Sequence, residues 1–219
     1  MSPIEYAVIF DMDGVLVDSH CGIWKSFNDL LGRYGVHLND EDIKLYCGVS
    51  LRDDIRLWNK KYGLNLDLES FKKEAWQIEA RHLEGMNPDS GLLALLDELE
   101  SHNIPRGVGT SSERFRADLI LDKLKLRRYF SEVITANDVS KHKPEPDIFL
   151  EVAKRLAVPA QRCLVIEDAA SGIEAAKRSR MKAIGYYNGH NSLEDLAKAD
   201  MIIRDLRELN YGIIRQMFV

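Results

Sequence analysis

Tyr6-Ala7-Val8-Ile9-Phe10 is an apolar run that ends on Asp11-Met12-Asp13-Gly14, and Cys163-Leu164-Val165-Ile166 is a second that ends on Glu167-Asp168. Both read as buried strands that deliver carboxylates at their carboxyl ends. Carboxylates stranded there lose water and repel one another, and the usual agent that offsets this cost is a divalent cation. Two further stretches, Gly109-Thr110-Ser111 and Lys143-Pro144, add hydroxyls and an ammonium of the kind a phosphate needs. Together the four stretches read as a magnesium-assisted phosphoryl-transfer site whose nucleophile is an aspartate.

Working outward, short apolar runs alternate with helical periodicity. Ile104–Gly109, weakened by Pro105 and two glycines, reads as a second strand, and Glu132–Thr135 as a third. Arg162–Ile166, Lys182–Tyr186 and Asp200–Ile203 complete the set. Leu92, Leu95, Leu96 and Leu99 share one helical face, as do Ile148, Phe149, Val152, Ala153 and Leu156. Pro146 suits the first turn of that second helix, where no amide donor is needed. Such alternation implies an α/β fold, a doubly wound parallel sheet with helices on both faces. Ligands in these sheets sit at the carboxyl ends of strands, near a topological switch point. Asp11, Thr110 and Asp168 are each expected at such an end, with Lys143 in a loop able to reach the same rim.

Residues 17–86 break the alternation. They carry many charges and almost no strand pattern, so they read as a helical insert between core segments 1–16 and 87–219. Helices are expected over Ser19–Tyr34, after Asn39 as N-cap with Asp42 three residues on, and within Arg52–Tyr62 and Leu68–Leu83.

The 219 residues suffice for one large domain or a domain with an insert, and 45% hydrophobic content permits a sizeable core. Net charge is −5 with no basic stripe, which argues against nucleic acid as a partner. Cys21, Cys47 and Cys163 are odd in number and lack C-x-x-C spacing, so neither a disulfide framework nor a zinc site is expected, and a reducing cytoplasm fits. The first residues lack a signal-peptide pattern, no apolar stretch is long enough to span a bilayer, and nothing marks a protein partner.

Asp11 is ionised at neutral pH and can attack phosphorus without a base, provided a cation and a lysine neutralise the phosphate. Asp13, two residues on, can protonate the leaving oxygen and then take a proton from the attacking water. Gly14 lets the chain turn sharply. Each motif also has a plainer reading. Asp-x-Asp-Gly is a common solvated turn. Thr110 and Ser111 could cap a helix before Glu113. Lys143 could be merely solvated, and Lys141 and His142 are easily confused with it. Glu167-Asp168 could end a Walker-B strand, but no G-x-x-x-x-G-K-[S/T] occurs.

The set Asp11-Met12-Asp13-Gly14-Val15-Leu16-Val17-Asp18-Ser19, Thr110-Ser111, Lys143-Pro144-Glu145-Pro146-Asp147-Ile148-Phe149 and Val165-Ile166-Glu167-Asp168-Ala169-Ala170-Ser171-Gly172-Ile173 resembles the haloacid dehalogenase-like superfamily of phosphohydrolases. The nearest branch is that of phosphoglycolate phosphatase and β-phosphoglucomutase. The resemblance implies a Rossmann-like core with the insert as a helical cap, and a Mg²⁺-dependent phosphatase acting on a small phosphorylated metabolite, a sugar phosphate or a phosphoglycolate-like ester, through an aspartyl-phosphate. It assigns Asp11 as nucleophile and metal ligand, and Asp13 as acid/base with its carbonyl on the metal. Thr110, Ser111 and Lys143 would bind the phosphoryl group, with Glu167 and Asp168 completing the metal shell. Gly48-Val49-Ser50-Leu51-Arg52 resembles the cap loop that faces substrate, which makes Arg52 a candidate specificity residue or else a surface helix residue. Two alternatives stand beside the phosphatase: a phosphosugar mutase, and a non-catalytic phosphate-sensing module, against which Asp13 argues. Hexose-phosphate mutases of the branch carry a histidine five residues past the position of Asp18. That position here is Ile23, with His20 nearby but out of register.

Overall fold

A computed structural model describes residues 6–39, 41–42, 51–84 and 87–218. The chain divides into two compact units, Met1–Asp18 with Gly85–Val219, and Ser19–Glu84.

The first unit holds strands β1 (Ala7–Phe10), β2 (Arg106–Gly109), β3 (Glu132–Ile134), β4 (Cys163–Glu167), β5 (Lys182–Tyr186) and β6 (Met201–Ile203). They form one parallel sheet in the order β3-β2-β1-β4-β5-β6. The chain runs outward from β1 to β3 and then returns to the other side of β1 as β4. The switch point therefore lies at the carboxyl ends of β1 and β4. This is the doubly wound fold expected from the alternation.

β1 is buried along its whole length because both faces of the sheet are covered. Alternation sends Ala7 and Ile9 into one core with Ile148, Phe149, Val152, Ile173 and Ala176. Those residues lie on the helices Asp147–Arg155 and Ala170–Arg178. Tyr6 and Phe10 face the other way, where Tyr6 stacks on Tyr211 and Phe218, and Phe10 meets Phe130 edge-on. The helix Ser90–Ser101 packs on this second side beside Tyr211–Gln216. Each buried side chain of the size of Leu or Phe stabilises the fold by roughly 1.5–3 kcal/mol. The first of the two glycines that weaken β2 as a strand has a packing role: a Cβ on Gly107 would come within 2.6 Å of Val152.

The second unit contains α1 (His20–Leu31), α2 (Leu51–Tyr62) and α3 (Leu68–His82). α1 ends in a 3₁₀ turn, Gly32–Tyr34, closed by Gly35 at φ 74°. Asn39 Oδ1 accepts from the amides of Glu41 and Asp42, and Asp42 Oδ2 accepts from the amide of Asn39, a reciprocal cap as the spacing predicts. Asp67 caps α3 by accepting from Ser70 N at 2.9 Å. The unit has its own core, with Phe27, Trp58 and Phe71 in mutual ring contact at 5.6–5.9 Å. Cys47 and the stretch Gly48–Ser50 lie outside the described residues. No helix among the described residues is long and apolar enough to cross a membrane.

Candidate active site

β1 pairs with β4 so that Phe10 lies opposite Ile166, and Asp11 N continues the ladder by donating to Ile166 O at 2.9 Å. One residue further, the side chains of Asp11 and Glu167 emerge side by side. Lys143 Nζ joins them, 2.5 Å from Asp11 Oδ1 and 2.8 Å from Glu167 Oε1. All three side chains are buried. The ammonium also lies 4.7 Å from the centre of the Phe149 ring, an added attraction. Lys141 and His142 are exposed, so of the three basic neighbours it is Lys143 that enters the site.

Burial pushes the Asp11 carboxyl well above its ordinary range. Glu167 and Asp13 add to that push, and Lys143 offsets part of it. Burial also works against the Lys143 charge, but attraction to Asp11 and Glu167 outweighs it and raises the lysine above its usual range. Asp168, the residue after β4, is pushed up to about 7 by burial and then by the Glu167 charge.

Oxygen atoms of Asp11, Glu167 and Asp168 lie within 4.8 Å of one another. Three crowded, desolvated carboxylates against one ammonium form an oxygen donor set short of positive charge, and this fits a hard divalent cation such as Mg²⁺. Two glycines make room for the set. Gly14 has φ +77°, and a Cβ there would lie 1.9 Å from Asp168 Oδ2. A Cβ on Gly172 would lie 1.6 Å from Glu167 Oε1. Glu167 is further fixed by Ala169 N, which donates to Oε2 at 2.7 Å.

The Asp13 carboxylate is held apart from that cluster. Arg116 donates to both of its oxygens, Nη2 to Oδ1 at 2.7 Å and Nη1 to Oδ2 at 2.8 Å, and Ser112 Oγ donates to Oδ2 at 2.7 Å. Thr110 is buried at the end of β2, and its Oγ1 accepts from Ser112 N at 3.0 Å. Ser111 is exposed. Neither caps the following helix, Arg114–Lys123, whose N-cap is Glu113 without a side-chain bond. Arg52 is exposed in the first turn of α2, in the other unit.

Four residues escape the sequence reading: Ser112, Arg116, Asn188 and Asn191. Asn188 Nδ2 donates to Asp168 Oδ2 at 2.8 Å and to Gly14 O at 3.0 Å, tying the two carboxylate strands together. Asn191 Nδ2 donates to Asp168 O and Tyr186 O. The signal for the asparagines is their place just past the carboxyl end of β5, on the rim that carries the other site residues. Ser112 adjoins the Thr110-Ser111 pair. Arg116 offers no signal, being one of two arginines in a charged helix.

Residues 8–186 match the family model described as haloacid dehalogenase-like hydrolase. The chain belongs to this family. Among haloacid dehalogenase-like relatives, a fructose-1-phosphate phosphatase of Escherichia coli is 34% identical over 81% of this chain and 94% of its own length. A phosphorylated carbohydrates phosphatase of Thermotoga maritima is 30% identical, over 93% and 99% respectively. A crystal structure of β-phosphoglucomutase from Clostridium difficile superposes with a TM-score of 0.78 at 27% identity, covering 99% of this chain and 97% of that one.

Proposed function

We propose that this chain is a Mg²⁺-dependent phosphatase of small phosphorylated sugars that works through a phosphoryl group carried on Asp11. The observation that carries the reading is the pairing of Asp11 and Glu167 on one Lys143 ammonium beside Asp168, with Asp13 held separately. The chain is a phosphoric monoester hydrolase of its family. The names of the two phosphatase relatives support phosphorylated sugars as the substrate class.

Asp11, Glu167 and Asp168, with the carbonyl of Asp13, would hold the metal. When bound, it draws charge from the phosphoryl oxygens and lets anionic Asp11 approach an anionic ester. Lys143 Nζ supplies the second positive charge. The buried Thr110 hydroxyl and the Ser111 backbone lie on the same rim and bind phosphoryl oxygens.

An Asp11 oxygen attacks phosphorus, the P–O bond to the sugar breaks, and Asp13, which enters the cycle protonated, gives its proton to the departing alkoxide. Water then attacks the acyl phosphate on Asp11, and Asp13 takes the proton it sheds. Phosphate leaves, and both aspartates return to their starting state. One proton is given and one is taken, so no other acid or base is needed. The phosphoryl group occupies the buried end of the site, while the sugar is the variable part. The cytoplasm is its proposed setting, where buried Cys163 stays a free thiol.

A panel of hexose and pentose phosphates, glycolate phosphate and nucleotides, assayed with Mg²⁺ for free phosphate and for isomerised sugar phosphate, tests the reading. Phosphate released from sugar phosphates in preference to the others is expected. Isomerisation without release would replace the phosphatase with a mutase, and neither product from any ester would remove the enzymatic reading.

A further inference from the structure

The least expected contact in the site is the fork of Arg116 on Asp13. Arg116 sits in the first turn of the helix Arg114–Lys123, on the side that also buries Ala117, Ile120 and Leu121. It is 4% exposed. A buried guanidinium costs several kcal/mol of desolvation, and a hydrocarbon of similar volume often stabilises such a position as well or better. Packing alone therefore gives little reason for an arginine here.

Its contacts give one. The planar group meets both Asp13 oxygens, and its Nη1 also donates to Ser112 Oγ at 2.5 Å, while that hydroxyl bonds Asp13 Oδ2. Carboxylate, guanidinium and hydroxyl thus close a triangle. A bidentate arginine holds a carboxylate in one plane, whereas a lysine would act only as a point charge. A proton-transfer group works only within about 2.6–3.2 Å of the atom it serves, and a misplacement of about 1 Å can cost about 10²-fold in rate.

We propose that Arg116 is the positioning residue of Asp13, setting with Ser112 the direction in which its carboxylate meets the leaving oxygen. This rests on the acid/base role of Asp13 given above. It assigns work in the reaction to a helix whose other buried residues, Ala117, Ile120 and Leu121, are apolar.

The test compares two esters with opposite needs. The best hexose phosphate of the panel leaves as a poor leaving group and requires a proton. The 4-nitrophenyl ester leaves as a stable phenolate and does not. The quantity read is kcat/KM, which reports the step that breaks the ester bond. Arg116→Gln should lower it about 10²-fold or more for the hexose phosphate, and less than about tenfold for the nitrophenyl ester. Arg116→Lys should fall between wild type and Arg116→Gln on the hexose phosphate, and it carries the comparison if the glutamine variant fails to fold. Equal losses on both esters would assign Arg116 to structure or phosphate binding, and no loss on either would leave it idle; each overturns the proposal. Asp13→Ala is the control. If it shows the leaving-group dependence and the Arg116 variants do not, only the present proposal falls. If Asp13→Ala lacks that dependence, the acid/base reading falls and this inference with it.

Discussion

The Cβ that residue 14 lacks would lie 1.9 Å from Asp168 Oδ2, so the turn after β1 and the carboxylate after β4 share one space. Gly14 also has φ +77°, a region where L-residues are strained. Gly14→Ala is therefore expected to act twice. The backbone strain costs about 1–2 kcal/mol, and Asp168 is driven off both its position and its bond to Asn188. Calorimetric titration should show weaker Mg²⁺ binding together with a lower melting temperature. A variant that melts lower yet binds Mg²⁺ as wild type does would mean that Asp168 is not a ligand, or can move freely.

Asp168 as a proposed metal ligand implies a pH dependence of definite sign. Its folded value, about 7, lies above the ordinary 3.8. The stability this group contributes in metal-free protein is present at low pH and is lost as pH rises through about 7. Metal must displace the same proton, so apparent Mg²⁺ affinity should climb as pH passes upward through about 7 and then level off. Asp168→Asn should flatten the metal-free stability profile in that window. Melting curves with chelator and with Mg²⁺ across the range measure both effects. An affinity that does not change with pH would remove Asp168 from the metal set.

Lys143 neutralises what would otherwise be two facing buried carboxylates. Lys143→Met leaves Asp11 and Glu167 uncompensated, and breaking a buried pair in this way costs roughly 3–5 kcal/mol. The methionine variant should melt well below wild type in chelator and regain part of the loss in Mg²⁺, while turnover stays low because the phosphoryl group lacks its ammonium. Full recovery of turnover by Mg²⁺ would make Lys143 purely structural.

The sheet was legible because β1 and β4 are buried on both faces and so read as unbroken apolar runs, each stopping abruptly at an acid. The meeting of the Asp11, Glu167 and Asp168 carboxylates at one rim followed from that abruptness. Strand edges moved by a residue or two: β2 begins at Arg106 rather than Ile104, and β4 runs Cys163–Glu167 rather than Arg162–Ile166. The polar partners were not legible. Arg116 reaches Asp13 across 103 positions and Asn188 reaches Gly14 across 174. No local pattern encodes contacts that exist only once the sheet has stacked. Charge runs hid Arg116 especially, since in sequence it looks like any solvated helix arginine.

The proposed mechanism puts the covalent step on Asp11, and the environment of this side chain makes the test clean. Burial raises its carboxyl, so the ionised side chain sits at a cost that Lys143 only partly offsets. Asp11→Asn keeps the shape, removes that cost and leaves Lys143 its bond to Glu167. The variant should fold and melt near wild type, because the lost ion pair and the removed burial penalty oppose each other. Turnover should fall about 10⁴-fold or more, as when a covalent nucleophile is deleted from other enzymes. In wild-type protein quenched during turnover, borohydride reduction of the acyl phosphate should mark residue 11, and peptide mapping of the Asn variant should show no mark. A mark at Asp13 or Ser111 would move the nucleophile there. A mark nowhere, with turnover intact in Asp11→Asn, would mean that water attacks the ester directly and that Asp11 serves only as a ligand.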